Sequence, residues 1–189
     1  MESSEQNDDG LRQAMRNVAA GDANAFRDIA LALDPRLARF FAQLGVPAAE
    51  RDDLFQETCL RIYRAAGAYD TRRPFLPWAL TVARRVMLNW YRARRPTVEL
   101  VEADGVAAEQ RAPGAGAESD IWSFARDRLP AAAYELLWLC YGEDLGPAEI
   151  AAVTGRSAVH VRVLLFRARA ALARALQNAG EAELLRSVR

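Results

Sequence analysis

The sequence predicts an all-α fold of two small helical domains joined by a flexible linker, the C-terminal domain containing a helix-turn-helix. Apolar residues recur at helical spacing along most of the 189 residues, and strand-like alternation is confined to the short segment 97–101. An acidic stretch rich in Gly, Ala and Pro interrupts the helical pattern. Beyond it, Gly155 separates two helical segments as the turn of a helix-turn-helix requires.

The first domain, residues 1–96, is predicted to contain five helices. The first runs from about Asp9 to Ala20, and Asp22 can cap the second. Pro35 is expected to open the third helix, because proline is favoured in the first turn of a helix.

The fourth helix is expected to begin at Pro47 and to end near Ala66. The stretch 67–75 has the composition of a loop. Pro77 suits the first turn of the fifth helix, which continues to about Arg94.

Residues 97–119 are predicted to be the linker and residues 120–177 the second domain. Residues 178–189 are expected to form a tail or a frayed extension. The second domain should contain four helices, near 120–128, 131–141, 147–153 and 157–177.

Composition excludes several classes of protein. A hydrophobic content of 51% is enough for real cores. No apolar run approaches the ~18 residues that span a bilayer, and the acidic N-terminus does not resemble a signal peptide. We therefore expect a cytoplasmic protein without direct membrane insertion.

Cofactor and metal sites are not expected. Cys59 and Cys140 lie far apart in apolar helical surroundings and are predicted to be buried, reduced thiols. The single histidine, His160, offers no cluster for a metal. The sequence has no paired acid and base, no Gly-rich phosphate loop and no metal-ligand spacing, so no catalytic residue is assigned.

The net charge of zero hides a segregation of charges. Residues 21–95 contain thirteen Arg against eight acidic residues, and residues 121–176 contain seven Arg against five. Residues 96–120 contain one Arg against six acidic residues. Nucleic-acid binding is therefore plausible for the two basic blocks and not for the chain as a whole.

The strongest local pattern lies in the second domain. Ala151, Gly155 and Val161 have the spacing of a helix-turn-helix, in which a small residue allows two helices to approach, a glycine turns the chain and an apolar residue anchors the second helix. Polar side chains at the start of that second helix suit major-groove binding, although a helical hairpin with a solvated Arg face would look the same. They are Arg156, Ser157, His160, Arg162 and Arg167.

Two other patterns have both a functional and a structural interpretation. On the helix from residue 78 to 95, five Arg alternate with three aromatic residues, which suits binding to single-stranded nucleic acid or a core with a solvated face. The acidic helix start at 51–58 suits a protein-docking surface or an ordinary acid-rich first turn.

Together these residues resemble the extracytoplasmic-function (ECF, group IV) RNA polymerase sigma factors. The matching segments of the first domain are Gly21-Asp22, Asp52-Asp53-Leu54-Phe55-Gln56-Glu57-Thr58 and Phe75-Leu76-Pro77-Trp78-Ala79-Leu80. In the second domain, the match runs from Leu129-Pro130 through Glu149-Ile150-Ala151 to Arg167-Ala168-Arg169.

The resemblance implies an alternative sigma factor that binds core RNA polymerase and directs promoter-specific initiation, not an enzyme. Asp53, Leu54, Gln56 and Glu57 would dock on the clamp helices of the largest polymerase subunit. A further contact would be made with the flap of the second largest subunit. The minus-ten strand would be held by Asp70, Arg72, Arg73, Phe75, Trp78, Arg84, Arg85, Asn89 and Arg92.

The resemblance also implies a role for the second domain and a way in which the protein is regulated. Arg156, Ser157, His160, Arg162 and Arg167 would bind the minus-thirty-five element as duplex. An anti-sigma factor would restrain the protein by covering the clamp-docking helix. The acidic linker would thread toward the active-site and RNA-exit channels of the polymerase.

Three positions depart from the family pattern and bear on promoter sequence. Arg85 stands where the family usually has Asn. In the recognition helix, His160 and Val163 stand where the family commonly has Thr and Ser. The alternatives are a two-domain helix-turn-helix repressor or activator that acts without polymerase, and a sigma-like interaction module that only sequesters an anti-sigma factor.

Overall fold

The computed structural model describes residues 2–94 and 120–187, where every regular element is a helix. The chain divides into two compact units. No helix in these two ranges is long and apolar enough to cross a membrane. In the N-terminal unit the helices are α1 (Glu2–Ala19), α2 (Phe26–Gln43), α3 (Ala48–Arg64) and α4 (Phe75–Arg94). In the C-terminal unit they are α5 (Asp120–Arg128), α6 (Ala131–Leu137), α7 (Pro147–Thr154) and α8 (Ala158–Ser187).

The core of the N-terminal unit is built on one buried face of α2. Ile29, Leu33, Leu37 and Phe40 are each at most 1% exposed, and their spacing of three to four residues places them on the same side of the helix. This face packs against α1 and α3, and α3 packs in turn against α4. The four helices therefore share one core, which fixes the starts of α3 and α4.

Pro35 lies inside α2, so the predicted helix break at this residue is wrong. An interior proline costs about 3 kcal/mol, because its nitrogen cannot donate and its ring crowds the preceding turn. The carbonyl left without a donor belongs to Leu31, a residue that is 65% exposed, so water can replace the lost bond. Burial of the continuous apolar face offsets the cost and keeps the helix whole.

α1 begins at Glu2 instead of Asp9, so this helix is longer at its start than the sequence predicted. The remaining helix boundaries of this unit lie within a few residues of the prediction; α4, for example, begins at Phe75, two residues before Pro77. Asp22 acts as a cap as expected, accepting a 3.0 Å hydrogen bond from the Asn24 N–H at a short 3-10 turn that leads into α2. The predicted linker at 97–119 lies outside the described residues.

In the C-terminal unit α6 continues into a π-helical turn, Trp138–Gly142, and packs against α8. A Cβ atom at Gly142 would lie 2.7 Å from the Trp138 ring, so glycine is the residue that fits under the indole. α8 extends to Ser187, beyond the predicted end at 177. Its last turns are rich in helix-forming Ala, Glu and Leu, and Gly180 alone weakens them by only about 1 kcal/mol.

Candidate protein and nucleic-acid interfaces

The acidic start of α3 presents polar side chains on one helix face. Asp53, Gln56 and Glu57 are three and four positions apart, which makes them neighbours on the helix surface. Asp53 and Gln56 are exposed, whereas Glu57 is 41% exposed and forms a 2.6 Å ion pair with Arg61. Leu54 is only 4% exposed, so it anchors the helix in the core instead of presenting a surface.

The loop before α4 is organised by Asp70. Its carboxylate accepts hydrogen bonds from the Arg72 guanidinium at 2.9 and 3.0 Å and from the Arg72 backbone N–H at 3.1 Å. These bonds lower the pKa of Asp70 to about 2, because they stabilise the ionised carboxylate. The side chains of Arg72 and Arg73 are 89% and 75% exposed, so the loop presents two guanidinium groups to solvent.

An aromatic cluster lies beneath this loop. The Tyr69 ring centroid is 4.5 Å from that of Trp78 and 5.8 Å from that of Phe75. The Tyr69 hydroxyl donates a 2.6 Å hydrogen bond to the carbonyl of Arg73. Phe75, assigned from the sequence to the minus-ten strand, is completely buried, whereas Trp78 is half-buried. In this structure Phe75 therefore supports the loop from the core.

The outer face of α4 carries a polar stripe. Arg85, Asn89 and Arg92 are exposed and lie four and three positions apart; we call them the outer stripe of α4. Arg92 donates a 2.9 Å hydrogen bond to the side-chain oxygen of Asn89, which aligns the two side chains. Arg84 is half-buried and lies off this stripe.

Side chains in the last turns of α4 bond to other residues of the same unit. The Trp90 indole nitrogen donates to Glu50 at 3.0 Å, and the Tyr91 hydroxyl donates to the Leu44 carbonyl at 3.1 Å. The Arg94 guanidinium lies 4.3 Å from the Trp90 ring centroid and also pairs with Glu50. Trp90 and Tyr91 therefore have structural roles within this unit.

The helix-turn-helix is formed by α7, a turn at Gly155 and the start of α8. Ala151 is 8% exposed and Val161 is completely buried, which confirms the spacing argument. Gly155 has φ +73°, a backbone conformation that glycine adopts without strain. The Ser157 hydroxyl oxygen accepts a 3.2 Å hydrogen bond from the His160 N–H and so caps α8.

The outer face of α8 mixes polar with apolar residues. His160, Arg162 and Arg167 are exposed, as predicted, whereas Arg156 is half-buried. Three apolar side chains that we did not assign are also exposed: Val159 at 68%, Val163 at 45% and Phe166 at 71%. These three residues lie four and three positions apart, so they share one helix face that is out of phase with the buried stripe. This spacing was the sequence signal that could have predicted an exposed apolar face.

Comparisons with known proteins match each of the two units to a protein family. The Sigma-70 region 2 family matches residues 30–97, and the Sigma-70, region 4 family matches residues 125–172. ECF RNA polymerase sigma factor EcfG of Rhodopseudomonas palustris is 31% identical over 153 residues, which are 79% of this chain and 83% of that protein. This chain belongs to the ECF RNA polymerase sigma factors.

Other sigma factors support the assignment. SigF of Caulobacter vibrioides is 31% identical over 89% of this sigma factor and 95% of its own length. The structure of CnrH in complex with the cytosolic domain of CnrY has a TM-score of 0.68 and 25% identity, covering 89% of this chain and 98% of CnrH.

The assignment also decides between the functions considered. This sigma factor binds core RNA polymerase and directs promoter-specific transcription initiation. The family assignment therefore favours this function over a repressor or activator that acts without polymerase. Within the described residues, no group of three His, Cys, Asp or Glu side chains could hold a metal ion.

Proposed function

We propose that the middle of α3 docks on the clamp helices of the largest polymerase subunit through Asp53, Gln56 and Glu57. Two carboxylates and an amide on one helix face suit a basic or amide-rich partner. The Glu57–Arg61 pair is exposed, so exchanging Arg61 for a charged group of the polymerase would require little rearrangement. Leu54 contributes from the core by holding this helix in place.

The loop and the outer stripe of α4 would hold the melted minus-ten strand. Arg72 and Arg73 offer exposed charges to phosphates, and Arg85, Asn89 and Arg92 continue the polar surface along the helix. Half-buried Trp78 is the aromatic residue nearest the loop surface that can stack on a base.

The C-terminal unit would bind the minus-thirty-five element as duplex and contact the flap of the second largest polymerase subunit. Exposed His160, Arg162 and Arg167 suit bases and phosphates of the major groove. Val163 and Phe166 add apolar surface that fits thymine methyl groups. Ser157 has a structural task at the helix start, because its hydroxyl caps α8.

Regulation would come from an anti-sigma factor. CnrH, a sigma factor of similar fold, has been solved in complex with the cytosolic domain of CnrY. A partner that covers the Asp53–Glu57 surface would compete with the polymerase, since the same side chains cannot serve both. The exposed apolar residues of α8 give such a partner a second surface.

One observation supports the minus-ten assignment most directly. Arg72 and Arg73 are exposed on a loop that the buried rings of Tyr69 and Phe75 support. Transcription in vitro with core polymerase on a promoter library would identify the promoter. The Arg72→Ala/Arg73→Ala variant should then lose minus-ten strand binding and keep its affinity for core polymerase. Arg27→Ala, which removes an exposed Arg from α2, is the matched control.

The docking proposal needs a separate comparison. Asp53→Ala/Gln56→Ala should lower the affinity for core polymerase, whereas Asp28→Ala, an exposed acid on α2, should not. Equal affinity of both variants would contradict the docking surface. A transcriptionally active complex containing sigma factor, regulator and core together would contradict regulation by occlusion.

A further inference from the structure

The helix that follows the minus-ten loop has no cap of its own. The first backbone N–H groups of a helix lack intrahelical acceptors, and the preceding side chain commonly supplies one. Before α4 this residue is Pro74, which has neither a side-chain acceptor nor an N–H, and Pro77 has no N–H either. The N–H groups of Phe75 and Leu76 are therefore the donors that need an acceptor.

Both donors bond to Asp8, a residue of α1 that lies 67 and 68 positions earlier in the chain. The Asp8 Oδ1 atom accepts from the Phe75 N–H at 2.8 Å and from the Leu76 N–H at 3.2 Å. Its other oxygen, Oδ2, lies 3.2 Å from Arg12 Nε, and the Asp8 side chain is only 18% exposed. A carboxylate held in this position also stabilises the positive end of the helix dipole.

Asp8 also lies close to the first residue of the loop. Burial, and after it the Asp8 carboxylate, raises the pKa of Tyr69 from 10.0 to about 12. As a donor the Tyr69 hydroxyl bonds to the carbonyl of Arg73. Asp8 therefore bonds directly to the end of the loop, at Phe75 where α4 begins, and Tyr69 bonds to the loop at Arg73.

We propose that Asp8 is a positioning residue for promoter opening: from α1 it fixes the first turn of α4, and thereby the loop at 69–74 and the outer stripe. The inference rests on the proposed minus-ten function of that loop. The Sigma-70 region 2 match begins at residue 30, so α1 contributes from outside the matched region. Among the described residues, the hydrogen bonds and ion pair of Asp8 go to the start of α4 and to Arg12, not to the proposed docking face of α3.

The test uses the full chain assembled with core polymerase. The probe is a labelled single-stranded oligonucleotide spanning the minus-ten segment of a promoter selected in vitro with this holoenzyme. Asp8→Ala should weaken oligonucleotide binding about tenfold, the effect of losing one capping group, and should leave core affinity unchanged. Asp8→Asn keeps an acceptor and should retain most of the binding. Asp9→Ala is the matched control, because its side chain is 69% exposed on the same turn of α1.

A second-site change distinguishes positioning from general stability. Pro74→Ser supplies a local cap, so it should restore strand binding in the Asp8→Ala background. A parallel loss of core affinity and strand binding in Asp8→Ala, with a lower melting temperature and no restoration by Pro74→Ser, would show a merely structural role and overturn the inference.

The Arg72→Ala/Arg73→Ala variant separates this inference from the proposed function. If it loses strand binding while Asp8→Ala binds like wild type, the Asp8 proposal is wrong and the minus-ten assignment stands. If both bind like wild type, the minus-ten assignment is wrong and the Asp8 proposal falls with it.

Discussion

The indole nitrogen of Trp90 donates a 3.0 Å hydrogen bond to Glu50 Oε2, which joins the end of α4 to the first turn of α3. Arg94 donates to the same oxygen at 2.6 Å. One carboxylate thus links α3 and α4, the two helices that carry the proposed docking face and the proposed strand-binding face. This arrangement leads to the first prediction.

Glu50→Ala should lower the free energy of unfolding by about 1–3 kcal/mol, because the indole N–H and the guanidinium lose a shared, partly buried acceptor. Urea unfolding followed by circular dichroism measures the change. Glu57→Ala on the same helix breaks an exposed pair and should change stability by less than about 1 kcal/mol. Equal losses in the two variants would contradict the role given to Glu50.

Arg162→Ala should reduce transcription in a way that depends on the minus-thirty-five sequence. If the exposed guanidinium makes a bidentate base contact, the loss is about 1–3 kcal/mol at one base pair. Transcription from promoters that differ at single minus-thirty-five positions measures it. A uniform loss across all promoters would assign Arg162 to phosphate, and no loss at any salt concentration would exclude both contacts.

The Asp70–Arg72 pair should persist through the acidic range. A pKa of about 2, depressed from 3.8, means that the stabilisation is present above the unfolded value and is lost as the pH falls through about 2. The Asp70 carboxyl carbon, followed by NMR, should therefore titrate with a midpoint near 2. In Arg72→Ala the midpoint should move up toward 3.8, since the largest cause of the shift has been removed. An unchanged midpoint in that variant would contradict the pairing.

Cys59 should react slowly with alkylating reagents while the protein is folded. Cys59 is half-buried instead of fully buried as the sequence predicted. This partial burial, with a smaller effect of Asp34, raises the pKa of the thiol to about 11 from 9.0. Because the thiolate is the reactive form, alkylation at pH 8 should be about a hundredfold slower than in the urea-unfolded chain. Mass spectrometry of a Cys140→Ser variant treated with iodoacetamide isolates Cys59. Equal rates for the folded and unfolded chain would show that the thiol is accessible and unperturbed.

The features that the sequence predicts best are local ones. The helix-turn-helix follows from Ala151, Gly155 and Val161, which lie within eleven consecutive residues, and their burial and turn geometry agree with the prediction. Asp22 likewise caps a neighbouring turn. In such cases the interacting residues are close in the chain, so their spacing and residue types are enough to predict the local structure.

The features that the sequence missed depend on distant partners. Pro35 predicts a helix break, but the apolar face shared with α1 and α3 keeps α2 continuous. The family resemblance assigns Phe75 to the minus-ten strand, yet this residue is completely buried beside Tyr69 and Trp78. No local pattern indicates that Asp8 would supply the acceptor for the start of α4.

The bond between Asp8 and Phe75 has a consequence for the order in which this unit folds. α1 leaves the ribosome before α4, but the Asp8 carboxylate has no amide partner until residues 75 and 76 have been synthesised. Contacts between residues so distant in sequence form late, because the entropy of closing the intervening chain must be offset first. The helix-turn-helix, by contrast, closes over a few residues, as the 3.1 Å hydrogen bond from the Arg156 N–H to the Ala151 carbonyl illustrates. Although it is synthesised after the N-terminal unit, we expect the C-terminal unit to complete its folding in fewer non-local steps.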